Sequence, residues 1–490
     1  MTKPIVPSDE QDNIVEASLL DLSFSVDASA GTGKSTVLGM VVAANPDKRF
    51  LYIVFNRANA LEAKKKFKHY NNVVVSTANG LGFRSIMMGQ NWKEIIKNDV
   101  SIYTYAHHGN AMKYGSFQGV DRMKYFLQIK DTITNFCRSN DQIIDIKHVP
   151  ANPAFMDHYD EIIHSAKNYW YVASNFKCEF NHDFYMKMWS LQNPSLNYDY
   201  ILYDEAQDTD PIMLEIVNKQ YSNKIIVGDK YQQIYAFRGS VNAMDKFEVS
   251  GKLRLSQSYR YGQEIANIAN KIVNHHHAYD PDIKGTDLYQ TKIIQSSSSF
   301  DNNSPEVIIC RTNTQIITEM IEAKELGIKF YAYLETLEVK KIIRSIFSLK
   351  NAGEKKPIVY HDLLKDFDSY SEMQDFLSAG GSPALSTFLN LYYKYGYADI
   401  NNAIKEVEKN KKIATQKIHS HEHNGIEKIF ISAHKSKGLE FDNVKIGSDF
   451  NEKGSKKYDA EEGNLVYVVS TRAQKTLNIG DSKELINLHG

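Results

Sequence analysis

The chain has 490 residues, 42% of them hydrophobic, with 58 Lys and Arg against 59 Asp and Glu and a net charge of −1. That length supports several domains with substantial cores. The balanced charge excludes a whole-molecule attraction to nucleic acid, so any such binding must come from local basic and aromatic surface.

The three cysteines, Cys137, Cys178 and Cys310, are far apart and odd in number, which points to a reducing compartment and not to a disulfide framework. The N-terminus has no apolar signal core, and no stretch approaches the roughly 18 apolar residues of a membrane span. The expectation is a soluble intracellular protein without a membrane partner, in the cytoplasm, or in the nucleus if eukaryotic.

In chain order, the first apolar run is Leu22 to Val26. Ala28-Ser29-Ala30-Gly31-Thr32-Gly33-Lys34-Ser35 follows, and then a helix predicted over Thr36 to Ala44. Strand, glycine-bearing loop and helix together form a phosphate loop, with Ala28 where the general pattern has glycine. Backbone N–H groups from Ala30, Gly31, Thr32, Gly33, Lys34, Ser35 and Thr36 would surround phosphate oxygens at the positive end of the helix. Lys34 would reach the β- and γ-phosphates, and the Ser35 hydroxyl would hold Mg²⁺.

Further strands are predicted at Phe50 to Phe55, Val73 to Val75, Tyr200 to Tyr203 and Ile225 to Val227, with a helix over Asn59 to His69. This alternation fits a parallel sheet covered by helices. Between about 90 and 195 apolar residues recur at three and four, as in Met123, Phe126, Leu127 and Ile129, which reads as a helical insertion. The strand Tyr200 to Tyr203 ends in Asp204 and Glu205. Asp204 suits a contact to Mg²⁺, and Glu205 suits general-base activation of water. A P-loop GTPase would share these features, but Asn218-Lys219-Gln220-Tyr221 lacks the aspartate of a guanine-reading motif.

A second α/β region is expected from about 251, with a helix over Gln263 to Val273 and strands at Glu306 to Cys310 and Asn443 to Ile446. His275-His276-His277 lacks a second ligand cluster at suitable spacing and reads as a polar loop. Ser296 to Ser299 also reads as a loop, and residues 350 to 422 as a second helical insertion.

Taken in order, these motifs resemble superfamily 1A DNA helicases of the UvrD/PcrA/Rep type, most of all the helicase portion of the eukaryotic F-box DNA helicases. No F-box-like segment is expected ahead of it. The resemblance implies an α/β fold of two RecA-like P-loop domains with parallel sheets, each carrying a helical insertion. It divides the chain into 1–90 with 195–250 as the first core, 91–194 as its insertion, 251–349 with 423–490 as the second core, and 350–422 as a short second insertion.

The resemblance also assigns residues. Gln11 would read adenine. Phe55 and Asn56, and then Thr77 and Asn79, stand where the family contacts the strand, although Ala78 and Asn79 depart from the usual Thr-Phe-His. In Gly228 to Gly239, Gln232 would sense the γ-phosphate, Phe237 would stack on a base, and Tyr235 would either stack or belong to the core. In Leu255 to Tyr261, Tyr259 would stack on the adenine and Arg260 would reach the γ-phosphate with its planar fork. Arg311 is either a strand contact or a surface ion pair. In Ser432 to Phe441, Glu440 would accept from the ribose while Ser432 and His434 face the DNA backbone, and Arg472 would be a second arginine finger.

The implied function is an ATP- and Mg²⁺-dependent 3′-to-5′ helicase that translocates on single-stranded DNA and unwinds partial duplexes in repair, recombination or replication. A protein partner such as a nuclease, a recombinase or a replication protein fits that role. Two alternatives are a translocase that strips proteins from single strands, and a nucleotide-gated DNA sensor working with a nuclease in antiviral defence.

Overall fold

The computed structural model describes residues 7–98, 100–113, 117, 119–235, 243–288, 290–295, 304–353, 355–378, 381–415, 425–450, 460–480 and 482–489. Phe237 therefore lies outside the described residues.

The first sheet shows how sequence becomes layer. Every residue of the strand Phe50–Val54 is buried. Successive side chains on a strand point to opposite faces. Phe50, Tyr52 and Val54 accordingly pack with Phe24, Val26, Val37 and Leu38 on one face. Leu51 and Ile53 pack with Ile201 and Ile226 on the other. Burial on both faces is what a parallel sheet between helices requires.

Six strands form that sheet: β1 (Phe24–Ala28), β2 (Phe50–Val54), β3 (Val73–Thr77), β4 (Tyr200–Tyr203), β5 (Asn223–Gly228) and β6 (Gly251–Leu255). Their order is β3-β2-β4-β5-β1-β6, and every pairing is parallel. β4, β5 and β1 are adjacent, so the segments leaving their C-terminal ends converge, which is where open α/β sheets place ligands. The expected division at 250/251 meets a different arrangement here. Gly251–Leu255 pairs with β1, so β6 is the outer strand of the first sheet and the second core begins after it.

The second sheet comprises β7 (Lys292–Ile294), β8 (Glu306–Cys310), β9 (Phe330–Ala332), β10 (Lys428–Ser432), β11 (Phe441–Ile446) and β12 (Ala473–Asn478). Its order is β7-β12-β11-β8-β10-β9, again wholly parallel.

Between β3 and β4 the longest helices are Gly119–Cys137 and Tyr159–Ser174. Between β9 and β10 the helix Thr336–Asn351 packs on Pro383–Thr415, which bends where Gly396 takes φ 72°. The two helical regions meet each other, with the Ser101 hydroxyl donating to Asp366 at 2.8 Å. The triple histidine is not a loop: it forms the last turn of the helix Gln263–His277. The apolar period of that helix, with Ile265, Ile268, Ala269, Ile272 and Val273 buried, carries through to His276. Among the described residues no helix is long and apolar enough to cross a membrane.

Candidate nucleotide and nucleic-acid site

The phosphate loop leaves β1 and turns through Gly31 and Gly33, both at φ 79°. Gly33 is the left-handed N-cap of the helix Lys34–Ala44, so the positive end of that helix opens onto the loop. Side chains crowd both glycines. A Cβ on Gly31 would lie 2.6 Å from both the Arg260 Cβ and the Ser258 Oγ, and one on Gly33 would lie 3.3 Å from the Gln11 Nε2. Gln11 also accepts from the Ser8 backbone N–H at 3.1 Å, closing the N-terminus of its own helix. Its amide nitrogen is thereby turned toward the loop.

The carboxylates follow β4. Asp204 accepts hydrogen bonds from two neutral donors: the Tyr52 hydroxyl at 2.7 Å and the Glu205 backbone N–H at 2.9 Å. Burial, and then the adjacent charge of Glu205, raises the Asp204 pKa. Glu205 sits in left-handed backbone at φ 55°, an uncommon conformation for a side chain of this size. Its carboxylate lies 3.7 Å from the Lys34 Nζ and 3.6 Å from the Lys437 Nζ. Burial opposes its charge, but Lys34 and then Lys437 outweigh burial and hold its pKa down. The Ser35 hydroxyl lies beside the same Tyr52 phenol, and so near Asp204. A buried carboxylate held by neutral donors, beside a serine hydroxyl, is a hard oxygen set short of positive charge, and it fits Mg²⁺.

Gln207 ties these loops together. Its Nε2 donates to Glu205 at 2.5 Å, and its Oε1 accepts from the Asp229 backbone N–H at 3.0 Å. Asp229 follows β5 and accepts from the Gln232 Nε2 at 2.7 Å.

The second core closes the site. Arg472 is almost fully buried, with its guanidinium bonded to Val468 and Leu439 carbonyls, the Thr471 hydroxyl and, at 3.4 Å, the Gln232 Oε1. Burial, with the charge of nearby Arg260, lowers its pKa to about 9. Arg260 pairs with Glu440 at 2.8 Å and donates to the Thr471 carbonyl at 3.3 Å. Both guanidinium groups therefore gather at Thr471. Tyr259 is exposed, and its backbone N–H donates to the Gly31 carbonyl at 2.8 Å. The Tyr467 hydroxyl accepts from the Ala30 N–H at 3.2 Å and donates to Asp229 at 3.0 Å.

The strand-contact candidates lie to one side. Phe55 stacks on Tyr235, with ring centroids 5.0 Å apart. Tyr235 donates to the His434 carbonyl at 3.2 Å, and the His434 Nε2–H donates to the Ile234 carbonyl at 3.0 Å. Asn56, Thr77 and Ser432 are the N-caps of the helices that follow β2, β3 and β10, with side-chain oxygens already accepting backbone N–H groups. Asn79 lies in the first turn after β3. Arg311 pairs with Glu462, which is the ion-pair reading of that residue.

The sequence alone assigns no role to Tyr52, Gln207, Asp208, Asp229, Lys437 or Tyr467. All but Tyr52 lie within or beside the motif runs. Their partners come from other strands, and motif spacing does not reveal those.

Compared with known proteins, residues 8–248 match the UvrD/REP helicase N-terminal domain and residues 384–484 match the UvrD-like helicase C-terminal domain. F-box DNA helicase protein 1 of Schizosaccharomyces pombe is 28% identical over 524 residues, covering 96% of this chain and 57% of that protein. F-box DNA helicase 1 of Gallus gallus is 26% identical over 501 residues, covering 93% of this chain and 47% of that protein. ATP-dependent DNA helicase PcrA of Leuconostoc citreum is 35% identical over 92 residues, covering 17% of this chain and 12% of that protein. The chain thus spans about half the length of the F-box relatives.

Proposed function

We propose that this chain, which belongs to the UvrD/REP helicase family, is an ATP-dependent DNA helicase that moves 3′ to 5′ on single strands and unwinds duplex DNA. One observation carries the reading. Lys34 faces Glu205 in the first core, Arg472 of the second reaches Gln232, Arg260 and Arg472 meet at Thr471, and the segment after Gln232 leads directly to the Tyr235–Phe55 stack.

Lys34 would bind the β- and γ-phosphates, with backbone N–H groups of Ala30 to Thr36 around them. Ser35 and Asp204 would hold Mg²⁺, which when bound offsets phosphate charge. Glu205, kept ionised by its lysine neighbours, would accept a proton from water as the water oxygen bonds to the γ-phosphorus and the bond to the bridging oxygen breaks. Gln232, Arg260 and Arg472 would balance the charge on the transferring group. Gln11 and Tyr259 would hold the base, and Glu440 the ribose. Arg260 must then exchange Glu440 for phosphate, so nucleotide state and core-to-core contact are linked.

Phe55, Asn56, Thr77, Asn79, Tyr235, Phe237, Arg311, Ser432 and His434 would form the strand path. Repair, recombination or replication would supply the substrate, with a nuclease, recombinase or replication protein as partner. Strand displacement on partial duplexes with 3′ or 5′ single-stranded tails, at stated salt, tests the reading. Unwinding from a 3′ tail supports it. Unwinding from a 5′ tail alone would reverse the polarity. ATP-driven movement without strand separation would favour a protein-stripping translocase.

A further inference from the structure

Lys437 lies just beyond the short helix Ala433–Ser436 of the second core, yet its side chain is buried in the first. Its ammonium pairs with Asp208 and lies 3.6 Å from the Glu205 Oε2. It also donates to the Gln232 carbonyl at 2.7 Å. On its other side it sits 5.5 Å from the centre of the Tyr235 ring, within reach of a cation–π attraction. Tyr235 in turn stacks on Phe55 and bonds to His434, which stands in that short helix ahead of Lys437. One short segment thus presents an imidazole to the aromatic path and sends an ammonium into the nucleotide site.

We propose that Lys437 is a positioning residue that couples the two sites, its ammonium tying the buried carboxylates after β4 to the segment that carries Tyr235. The proposal rests on the motor reading above. Geometry gives it two requirements. Asp208 is buried, its Oδ1 has no hydrogen-bond partner among the described residues, and its other oxygen is hydrogen-bonded to Lys437. Removing Lys437 would leave that carboxylate buried and uncompensated, an expensive state. The same ammonium is also the second positive neighbour of Glu205 after Lys34. A shift of Tyr235 on binding a base would move the Lys437 anchor at the Gln232 carbonyl and so alter the surroundings of Glu205. Burial already pushes the Asp208 pKa up to about 6 against the pull of Lys437, consistent with a carboxylate that depends on this cation for its charge.

The test uses the full chain and three variants: Lys437→Met, Asp208→Asn and the double variant. ATP hydrolysis is measured with and without oligothymidylate, together with oligothymidylate affinity by fluorescence anisotropy and thermal melting. Lys437→Met is expected to lower the ratio of DNA-stimulated to basal turnover by about tenfold, with the double variant no worse than the single one, because the two residues act as one unit. Oligothymidylate affinity should stay within about threefold of wild type, since Lys437 is not on the path itself. If Lys437→Met folds poorly, the double variant, which removes both buried charges, should fold and still show the lowered ratio.

A wild-type ratio in a folded variant overturns the proposal. So does an equal loss of basal and stimulated turnover alongside a lower melting temperature, which would make Lys437 structural only. Additive effects of the two single changes also overturn it. A wild-type chain that shows no DNA stimulation at all would instead overturn the motor reading on which the proposal stands.

Discussion

The hydroxyl of Tyr467 in the second core accepts a hydrogen bond from the backbone N–H of Ala30 in the first, at 3.2 Å and across 437 residues of sequence. The same hydroxyl donates to Asp229 at 3.0 Å, and Asp229 holds the Gln232 amide. One phenolic oxygen thus joins the phosphate loop, the residue that holds Gln232 and the helix Ala460–Ser470, which ends just before Arg472.

Tyr467→Phe removes that oxygen and keeps the ring. The Ala30 N–H then lacks its partner in a buried place, which costs about 1–3 kcal/mol. Melting should fall accordingly and turnover should slow, because the Asp229 carboxylate keeps the Gln232 amide but loses its other side-chain donor. Melting and steady-state hydrolysis on one preparation check both parts. Wild-type values for both would show that the hydroxyl bonds have no weight.

Glu205→Gln keeps shape and removes the charge that faces Lys34 and Lys437. Nucleotide should still bind, while hydrolysis should fall by at least about 10², the low end for loss of a positioned acid–base group. Lys34→Ala should instead weaken nucleotide binding and hydrolysis together. Equilibrium binding beside turnover separates the two, and unchanged turnover in Glu205→Gln would remove it from its role.

Replacing Arg260 or Arg472 with Ala should lower hydrolysis by roughly 10³ or more, the low end for arginine fingers. Their effects on stability should differ. Arg472 is almost fully buried, with four hydrogen-bond acceptors around it, whereas Arg260 is less enclosed and has an exposed partner, Glu440. A melting loss confined to Arg472→Ala is the expected pattern, and equal melting losses would contradict the difference in burial.

Phe55 is half-buried and stacked on Tyr235. If single-stranded DNA follows this face, Phe55→Ala should weaken oligothymidylate binding by about 1–3 kcal/mol, the contribution of one stacked base. Basal hydrolysis should persist. A full core phenylalanine would behave otherwise, losing about 3–5 kcal/mol of stability on truncation. Weaker anisotropy binding with unchanged melting marks the first role, and lower melting with unchanged binding marks the second.

How legible these features are in the sequence depends on the range of the interaction. The phosphate loop and the Asp204–Glu205 pair stand out because each is a local backbone event: a turn that needs glycine, and a strand end that releases two carboxylates. The strands Phe50–Val54 and Tyr200–Tyr203 stand out because burial on both faces leaves an unbroken apolar run. β6 does not, since Gly251-Lys252-Leu253-Arg254-Leu255 alternates as an outer strand does, and nothing local says which sheet it joins. The histidines at 275 to 277 look polar in sequence, but the helical period turns His276 inward, against Glu484. The roles of Lys437 and Tyr467 are the least accessible, because their partners lie more than two hundred residues away. Arg311 supports two readings in sequence, and the partner it takes in the structure, Glu462, is likewise distant along the chain.

A residue's place in a motif does not fix which event its loss would spoil. Gly31 belongs to the phosphate loop, yet the space where its side chain would stand is taken by Arg260 and Ser258. Alanine at this position would strain the loop's own left-handed turn and at the same time press on Arg260 and Ser258. Such an allele would pass for a simple binding defect by its address in the sequence while also disturbing the contact between the two cores. Sorting loss-of-function variants of this chain by motif alone would misfile it, and the same holds wherever one core leans on the backbone of the other.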